Sequence, residues 1–264
     1  MESLPRYNSC LARRRFFVDT LRAGTAELLG EEALHLTRVL RVEPGQRFEI
    51  SDNRSAWLAE VTEARGQRVV FRVLEPLDSP VAPVRITLIA AIVKFDRFEW
   101  MIEKATELGL ERILPMEATR TEKGLFEASR KRAERWRKIA RESSQQARRV
   151  RVPEILPSAR FAACLTESAD YRYFLEESVA PPLLSLAPAR RAPSDHVAIM
   201  VGPEGGWTDD ERQRAVASGW QPVSLGPLVL RAETAACAAL AVVGSTWMAA
   251  AGACGPANVT TMEN

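Results

Sequence analysis

Two stretches near the carboxyl end of the 264-residue chain combine glycine, proline and ionisable side chains in patterns that suit ligand binding. The first is Val201-Gly202-Pro203-Glu204-Gly205-Gly206-Trp207-Thr208-Asp209-Asp210-Glu211. An apolar run enters a Gly-Pro-Glu-Gly-Gly turn, and Thr208 with Glu211 three residues on forms a capping box that opens a helix. Glycine lets the backbone approach a ligand closely and adopt positive φ. Three glycines, a proline and a glutamate in five positions exceed what a tight turn needs. The second stretch is Leu225-Gly226-Pro227-Leu228-Val229-Leu230-Arg231-Ala232-Glu233-Thr234-Ala235. Glu233 and Thr234 fall where a helix N-terminus accepts carboxylates and hydroxyls. Arg231 is either a functional cation or half of an ion pair with Glu233 or Glu204. Neither loop has GxGxxG or GxxxxGK[ST] spacing, so no nucleotide-phosphate motif is present.

Other chemistries are short of residues. Two histidines, His35 and His196, exclude a His-rich metal site. Cys10, Cys164, Cys237 and Cys254 are far apart with no CxxC pair, against a zinc ribbon or redox motif. Nothing asks for an oxidising compartment and no signal peptide is evident, so a cytoplasmic protein without metal is expected. The charge balance is nearly even, 36 basic against 34 acidic residues, but 31 of the bases are arginine. A GC-rich genome explains that bias; so does phosphate recognition, where the planar arginine fork outperforms lysine. Between Arg130 and Arg151 ten bases face two acids, Glu134 and Glu142. That local excess favours contact with a nucleic-acid backbone over a merely solvated helix face. Arg13, Arg14, Arg15, Phe16 and Phe17 add a basic, aromatic cluster suited to RNA.

These residues need elements to place them. Phe48–Ile50, Trp57–Val61 and Val69–Val73 read as short strands parted by turn signals, with a helix over Glu31–Leu40. Such spacing suggests a small barrel. Glu75–Pro83, with three prolines, reads as a linker. Beyond it, strands are expected at Val84–Val93, Arg112–Met116, Tyr171–Leu175, Val197–Val201 and Val223–Leu225. Helices are expected after Lys94, over Glu127–Arg149, and from Thr208. Alternating strands and helices predict an α/β fold with a parallel sheet covered on both faces. Ala235–Cys254 is uncharged over 20 residues, long enough to cross a membrane. Its small side chains favour a buried or interface helix instead.

At this point the motifs acquire a family. The two loops together resemble the C-terminal signature of the knotted SPOUT methyltransferases. The closer resemblance is to the bacterial family that methylates N3 of a uridine in small-subunit (16S) ribosomal RNA, and it covers nearly the whole chain. Arg15-Phe16-Phe17-Val18 and His35-Leu36-Thr37-Arg38-Val39-Leu40-Arg41 look like that family's N-terminal RNA-binding domain, a PUA-like β-barrel. Lys94, Glu103-Lys104-Ala105-Thr106-Glu107-Leu108-Gly109, Pro115 and Arg120 look like its central block. Trp136, Ile139-Ala140, Glu142, Gln146, Arg149 and Pro153 follow in family order. Leu34 and Ala232 depart from the pattern, where relatives often carry His and Thr.

The resemblance implies a PUA-like domain at 1–77 and a SPOUT domain with a C-terminal trefoil knot at 84–264. It also implies a homodimer, S-adenosylmethionine as cofactor, and the small ribosomal subunit as partner. The cofactor would meet Leu175, Glu176, Val201, Gly202, Pro203, Glu204, Gly205, Gly206, Leu225, Gly226, Leu230, Arg231, Glu233, Thr234 and Ala235. Uridine N3 carries a proton at neutral pH, so a base or a cation stabilising the uridine anion is needed. Arg231 and Arg15 are expected as the anion-stabilising or base-positioning groups, with Glu204 or Glu233 as base. Arg15, Arg38, Arg41, Arg120, Gln146 and Arg149 are expected to touch RNA. Rival readings are a SPOUT enzyme acting on another RNA such as transfer RNA, a catalytically silent RNA-binding module, and a small-molecule α/β enzyme indifferent to the basic run.

Overall fold

A computed structural model describes residues 14–78, 82–177 and 179–252. Cys10, Arg13, Pro80 and Cys254, named above, lie outside the described residues. The chain divides into two compact units, Met1–Pro80 with Lys138–Pro153, and Val81–Arg137 with Glu154–Asn264. A division near 77–84 was expected; that Lys138–Pro153 joins the first unit was not.

The first unit is a six-stranded sheet made of β1 (Arg15–Phe17), β2 (Thr20–Arg22), β3 (Thr25–Leu29), β4 (Arg47–Ser51), β5 (Ala56–Arg65) and β6 (Arg68–Leu77), in the order β1-β4-β5-β6-β3-β2. Only the β1–β4 pairing is parallel. Apolar residues alternate along the strands, as one buried face requires. Phe16, Leu28, Phe48, Ile50, Val61, Val69 and Phe71 share one core with Ala33 and Leu36 of α1 (Gly30–Arg38). Two register shifts in the β5–β6 pair add local twist to this sheet. The expected linker is shorter than its prolines suggested, because β6 runs through Pro76 to Leu77. Within this unit Ser51 Oγ donates to Val150 O at 2.6 Å, and Val152 N donates to Asn53 Oδ1 at 3.0 Å. These bonds tie the returning segment to the end of β4.

The second unit is a wholly parallel sheet of β7 (Arg85–Ala91), β8 (Arg112–Glu117), β9 (Glu154–Ile155), β10 (Ala159–Arg160), β11 (Tyr171–Leu175), β12 (His196–Val201) and β13 (Gln221–Val223). The order is β10-β8-β7-β12-β11-β13, with β9 also pairing β8. Every residue of β12 is buried, as a central parallel strand demands. On one face Ile89, Met116, Phe174 and Met200 pack with Phe161 and Cys164 of α5 (Phe161–Cys164) and Ala215 of α6 (Asp209–Ala217). On the other, α7 (Ala232–Gly252) packs against β7, β12 and α2 (Phe95–Glu107). That packing answers the membrane question raised by the alanine run: the helix is long and apolar enough to cross a membrane, yet it lies against this sheet.

One expected helix is irregular, with helical φ/ψ kept at Ser129, Arg130 and Ala133. In place of a helix over Glu127–Arg149 there are α3 (Leu125–Ser129), a 3-10 turn at Arg130–Arg132, and α4 (Ala133–Gln146). Ser129 Oγ donates back to Phe126 O at 2.6 Å and meets Ser158 Oγ at 2.8 Å, a side-chain bond that competes with regular helix. Arg148, at φ +55°, is in the left-handed region just past the end of α4.

Candidate functional site

The Gly-Pro-Glu-Gly-Gly turn leaves the carboxyl end of β12, where open parallel sheets place their ligands. Its glycines accommodate the turn's own struts. A Cβ on Gly202 would lie 2.8 Å from the Trp207 ring, and one on Gly205 would lie 3.2 Å from Arg120 Cβ. Gly206 sits at φ +69°, and a Cβ there would meet Glu177 Oε1 at 2.6 Å. Trp207 is buried, stacks on Phe174 at 4.5 Å and donates Nε1–H to Leu175 O at 2.8 Å. That bond locks the turn to the end of β11. The capping box forms as expected: Glu211 N donates to Thr208 Oγ1 at 3.2 Å, and Thr208 N donates to Glu211 Oε2 at 2.9 Å. Glu211 also accepts from Thr119 N at 2.8 Å, so one buried carboxylate fixes two loops.

The ends of β11, β12 and β13 and the start of α2 enclose a cavity of about 360 Å³. Of the residues expected there, Leu175, Glu176, Val201, Gly202, Pro203, Glu204, Gly206, Leu225, Gly226, Leu230, Arg231 and Ala235 line it. Gly205, Glu233 and Thr234 are outside the lining. Trp207, Leu228, Val229 and Ala232, from the same two stretches, also line it, and so do Arg97 and Glu177, which the sequence had not singled out. Arg97 lies in the first turn of α2, after the end of β7. The rule that sites gather at strand ends would have found it; no local motif does.

The charges in the cavity separate into paired and free. Glu176 is gripped by Arg212, whose Nε donates at 2.6 Å, and also accepts from Glu177 N at 3.0 Å. Glu204 is ion-paired with Arg97. The ion pair of Arg231 with Glu204 or Glu233 that the sequence left open is therefore not what forms. Arg231 and Glu177 take part in no ion pair among the described residues. Glu233, expected as a base, is 8% exposed, with Oε2 buried and unbonded. It shares a helical face with Cys237, one turn on, whose thiol is pushed up by burial and by nearby carboxylates that include Glu233. Ala232 and Ala235 face the cavity instead. Among the described residues no three His, Cys, Asp or Glu side chains gather as a metal-holding group.

Arg15 belongs to the first unit, is 5% exposed, and donates to Glu49 at 3.0 and 3.2 Å, a carboxylate that Arg148 also engages. Burial first, then the charge of Arg148, lowers the Arg15 pKa. Its side chain is thus a buried ion-pair member of the first unit, with Nη1 left without a hydrogen-bond partner. Arg120 is a strut: it donates to Gly205 O at 2.7 Å and Trp207 O at 3.3 Å. Arg149 donates to Arg151 O at 3.1 Å. Arg38, Arg41 and Gln146 are exposed on the first unit.

The basic run is also more compensated than its composition suggested. Arg132 and Arg135 pair with Glu99, Arg137 with Glu134, Lys138 with Glu31, Arg141 with Glu32, and Arg148 with Glu49. All these acids except Glu134 are distant in sequence, so local counting could not see them.

Residues 80–244 match the family described as an RNA methyltransferase domain, and residues 28–74 match its PUA domain. The chain is 32% identical to ribosomal RNA small subunit methyltransferase E of Mycobacterium tuberculosis, across 93% of this chain and 97% of that one. It is likewise 32% identical to the protein of that name from Synechocystis, across 90% of this chain and 77% of the relative. A crystal structure of the Neisseria gonorrhoeae methyltransferase of that name, bound to S-adenosyl methionine, superposes with a TM-score of 0.79 at 32% identity. It covers 89% of this chain and 98% of that one.

Proposed function

The chain belongs to the RNA methyltransferase family with an N-terminal PUA domain, and from that premise we propose that it methylates N3 of a uridine in 16S ribosomal RNA, using S-adenosylmethionine. The cavity at the ends of β11, β12 and β13 carries this reading. Its volume of about 360 Å³ is in the range of small-molecule sites. Its apolar walls, Leu175, Val201, Leu225 and Leu230, suit a nucleoside, and its rim holds charges of both signs.

When bound there, S-adenosylmethionine supplies a methyl carbon carried on a sulfonium. Transfer forms the N3–C bond, breaks the C–S bond, leaves a neutral thioether, and requires the N3 proton to depart. The loop backbones at 202–206 and 225–230 hold the donor, so that the uridine need only be aligned to it. Arg231, the unpaired cation of the lining, stabilises the negative charge that develops on the uracil as the proton leaves. Glu204 and Glu176 are engaged by arginines and Glu233 faces away, so Glu177 is the lining carboxylate left to take up the departing N3 proton. The target base must be unpaired or flipped to enter. Exposed Arg38, Arg41 and Gln146 are the RNA contacts we retain for the N-terminal unit.

The resemblance further supports a trefoil-knotted C-terminal segment, a homodimer, and a cytoplasmic enzyme acting on the small subunit. Leu184, Leu228, Val229 and Met248 are exposed hydrophobics of the second unit, as an association surface would provide. Light scattering on the purified chain reads the dimer directly, and a monomer at micromolar concentration would contradict it. For the substrate, labelled S-adenosylmethionine is offered with small subunits and, separately, with transfer RNA. Label on subunits alone is expected; label on transfer RNA alone would replace the substrate.

A further inference from the structure

The pairing of Arg97 with Glu204 joins the first turn of α2 to the middle of the glycine turn at the edge of the cavity. The two side chains are 31% and 43% exposed. An ion pair that open to water contributes little to stability, so holding the fold together is a weak reason for its presence. Its partners are otherwise uncommitted, whereas Glu176 is fixed by Arg212.

We propose that the Arg97–Glu204 pair reads the amino-acid end of S-adenosylmethionine, Arg97 taking the α-carboxylate and Glu204 the α-ammonium. This rests on the cofactor reading above. A zwitterion carries its two charges on neighbouring atoms of one carbon, and a side-chain ion pair presents the opposite two charges at matching separation. Arginine's planar fork suits a carboxylate. The division of labour follows from the lining: apolar walls for the nucleoside, a charge pair at the rim for the polar tail. Arg231 then remains free for the uracil.

The test is calorimetric binding of S-adenosylhomocysteine and of 5′-methylthioadenosine, which keeps the nucleoside thioether and lacks the amino-acid end. The full chain is used, with no RNA and no turnover. Wild type is expected to prefer S-adenosylhomocysteine. Arg97→Ala and Glu204→Gln are expected to weaken S-adenosylhomocysteine about tenfold or more, as loss of a charge-assisted bond does, and 5′-methylthioadenosine less than about twofold. Arg97→Lys keeps the charge and is expected to recover most of the loss. Equal loss for both ligands would make the pair a mere loop strut and overturn the proposal. Discrimination that vanishes in Arg231→Ala and survives in Arg97→Ala would also overturn it. If wild type binds neither ligand, the cofactor reading itself falls and takes the proposal with it.

Discussion

At the scale of single residues, the site depends on side chains that never touch a ligand. Gly202→Ala sets a methyl group against the Trp207 ring, where overpacking costs about 1–3 kcal/mol. The expected outcome is a lower denaturation midpoint together with weaker S-adenosylhomocysteine binding; unchanged stability would show that Trp207 can yield. His196 begins β12, at the opposite end of the sheet from the cavity, and its Nε2 is hydrogen-bonded with Thr87 Oγ1 at 2.8 Å. Burial first, then Arg112 and Arg85, holds its pKa below the ordinary 6.5. The unfolded chain therefore takes up a proton that the folded chain refuses. That contribution to stability is intact above about pH 6.5 and drains as the pH falls below it. Thermal melts from pH 7.5 to 5.5 should show a fall that His196→Gln flattens; parallel curves would contradict this. Cys164, fully buried with its thiol pushed up to about 12, should resist thiol reagents at pH 8 in the folded protein. Residue types in the sequence marked the two loops and twelve of the cavity residues. They did not show that Arg15 is buried, because Glu49 and Arg148, which sit beside it, are 34 and 133 residues away.

At the scale of elements, local chemistry was legible where it was self-contained. Tyr171–Leu175 and the Thr208–Glu211 box appear where the sequence placed them, since alternation, run length and capping each act within a few residues. The 127–149 helix was legible in its position but not in its 3-10 turn at Arg130–Arg132, which no local sequence signal marks. The cap carries a graded prediction. Thr208→Ala should cost about 1 kcal/mol, the usual worth of an N-cap. Glu211→Ala should cost more, since it also strands the Thr119 N–H. Equal losses in urea titrations would mean that the bond to Thr119 contributes nothing.

For the whole molecule, a nearly neutral net charge conceals an arrangement in which most of the basic run is already paired within the fold. Salt dependence of RNA binding should therefore be shallower than ten free cations imply. Removing Arg38 and Arg41 together should reduce the log–log salt slope by about 2, whereas removing Arg137 should leave it unchanged. The joining of Lys138–Pro153 to the N-terminal unit was illegible in sequence for the same reason as the ion pairs: it depends on Glu31, Glu32, Glu49 and Ser51, about a hundred residues earlier. The family signature was legible because its two loops are short and contiguous. The reaction is read most directly from the identity of the modified nucleoside. Small subunits from cells lacking this activity are treated with the enzyme and S-adenosylmethionine, the RNA is digested, and the nucleosides are separated by mass spectrometry. 3-Methyluridine is expected with wild type, and its loss with Arg231→Ala. A methyl group on a ribose hydroxyl or another base, or 3-methyluridine undiminished in Arg231→Ala, would contradict the proposed reaction.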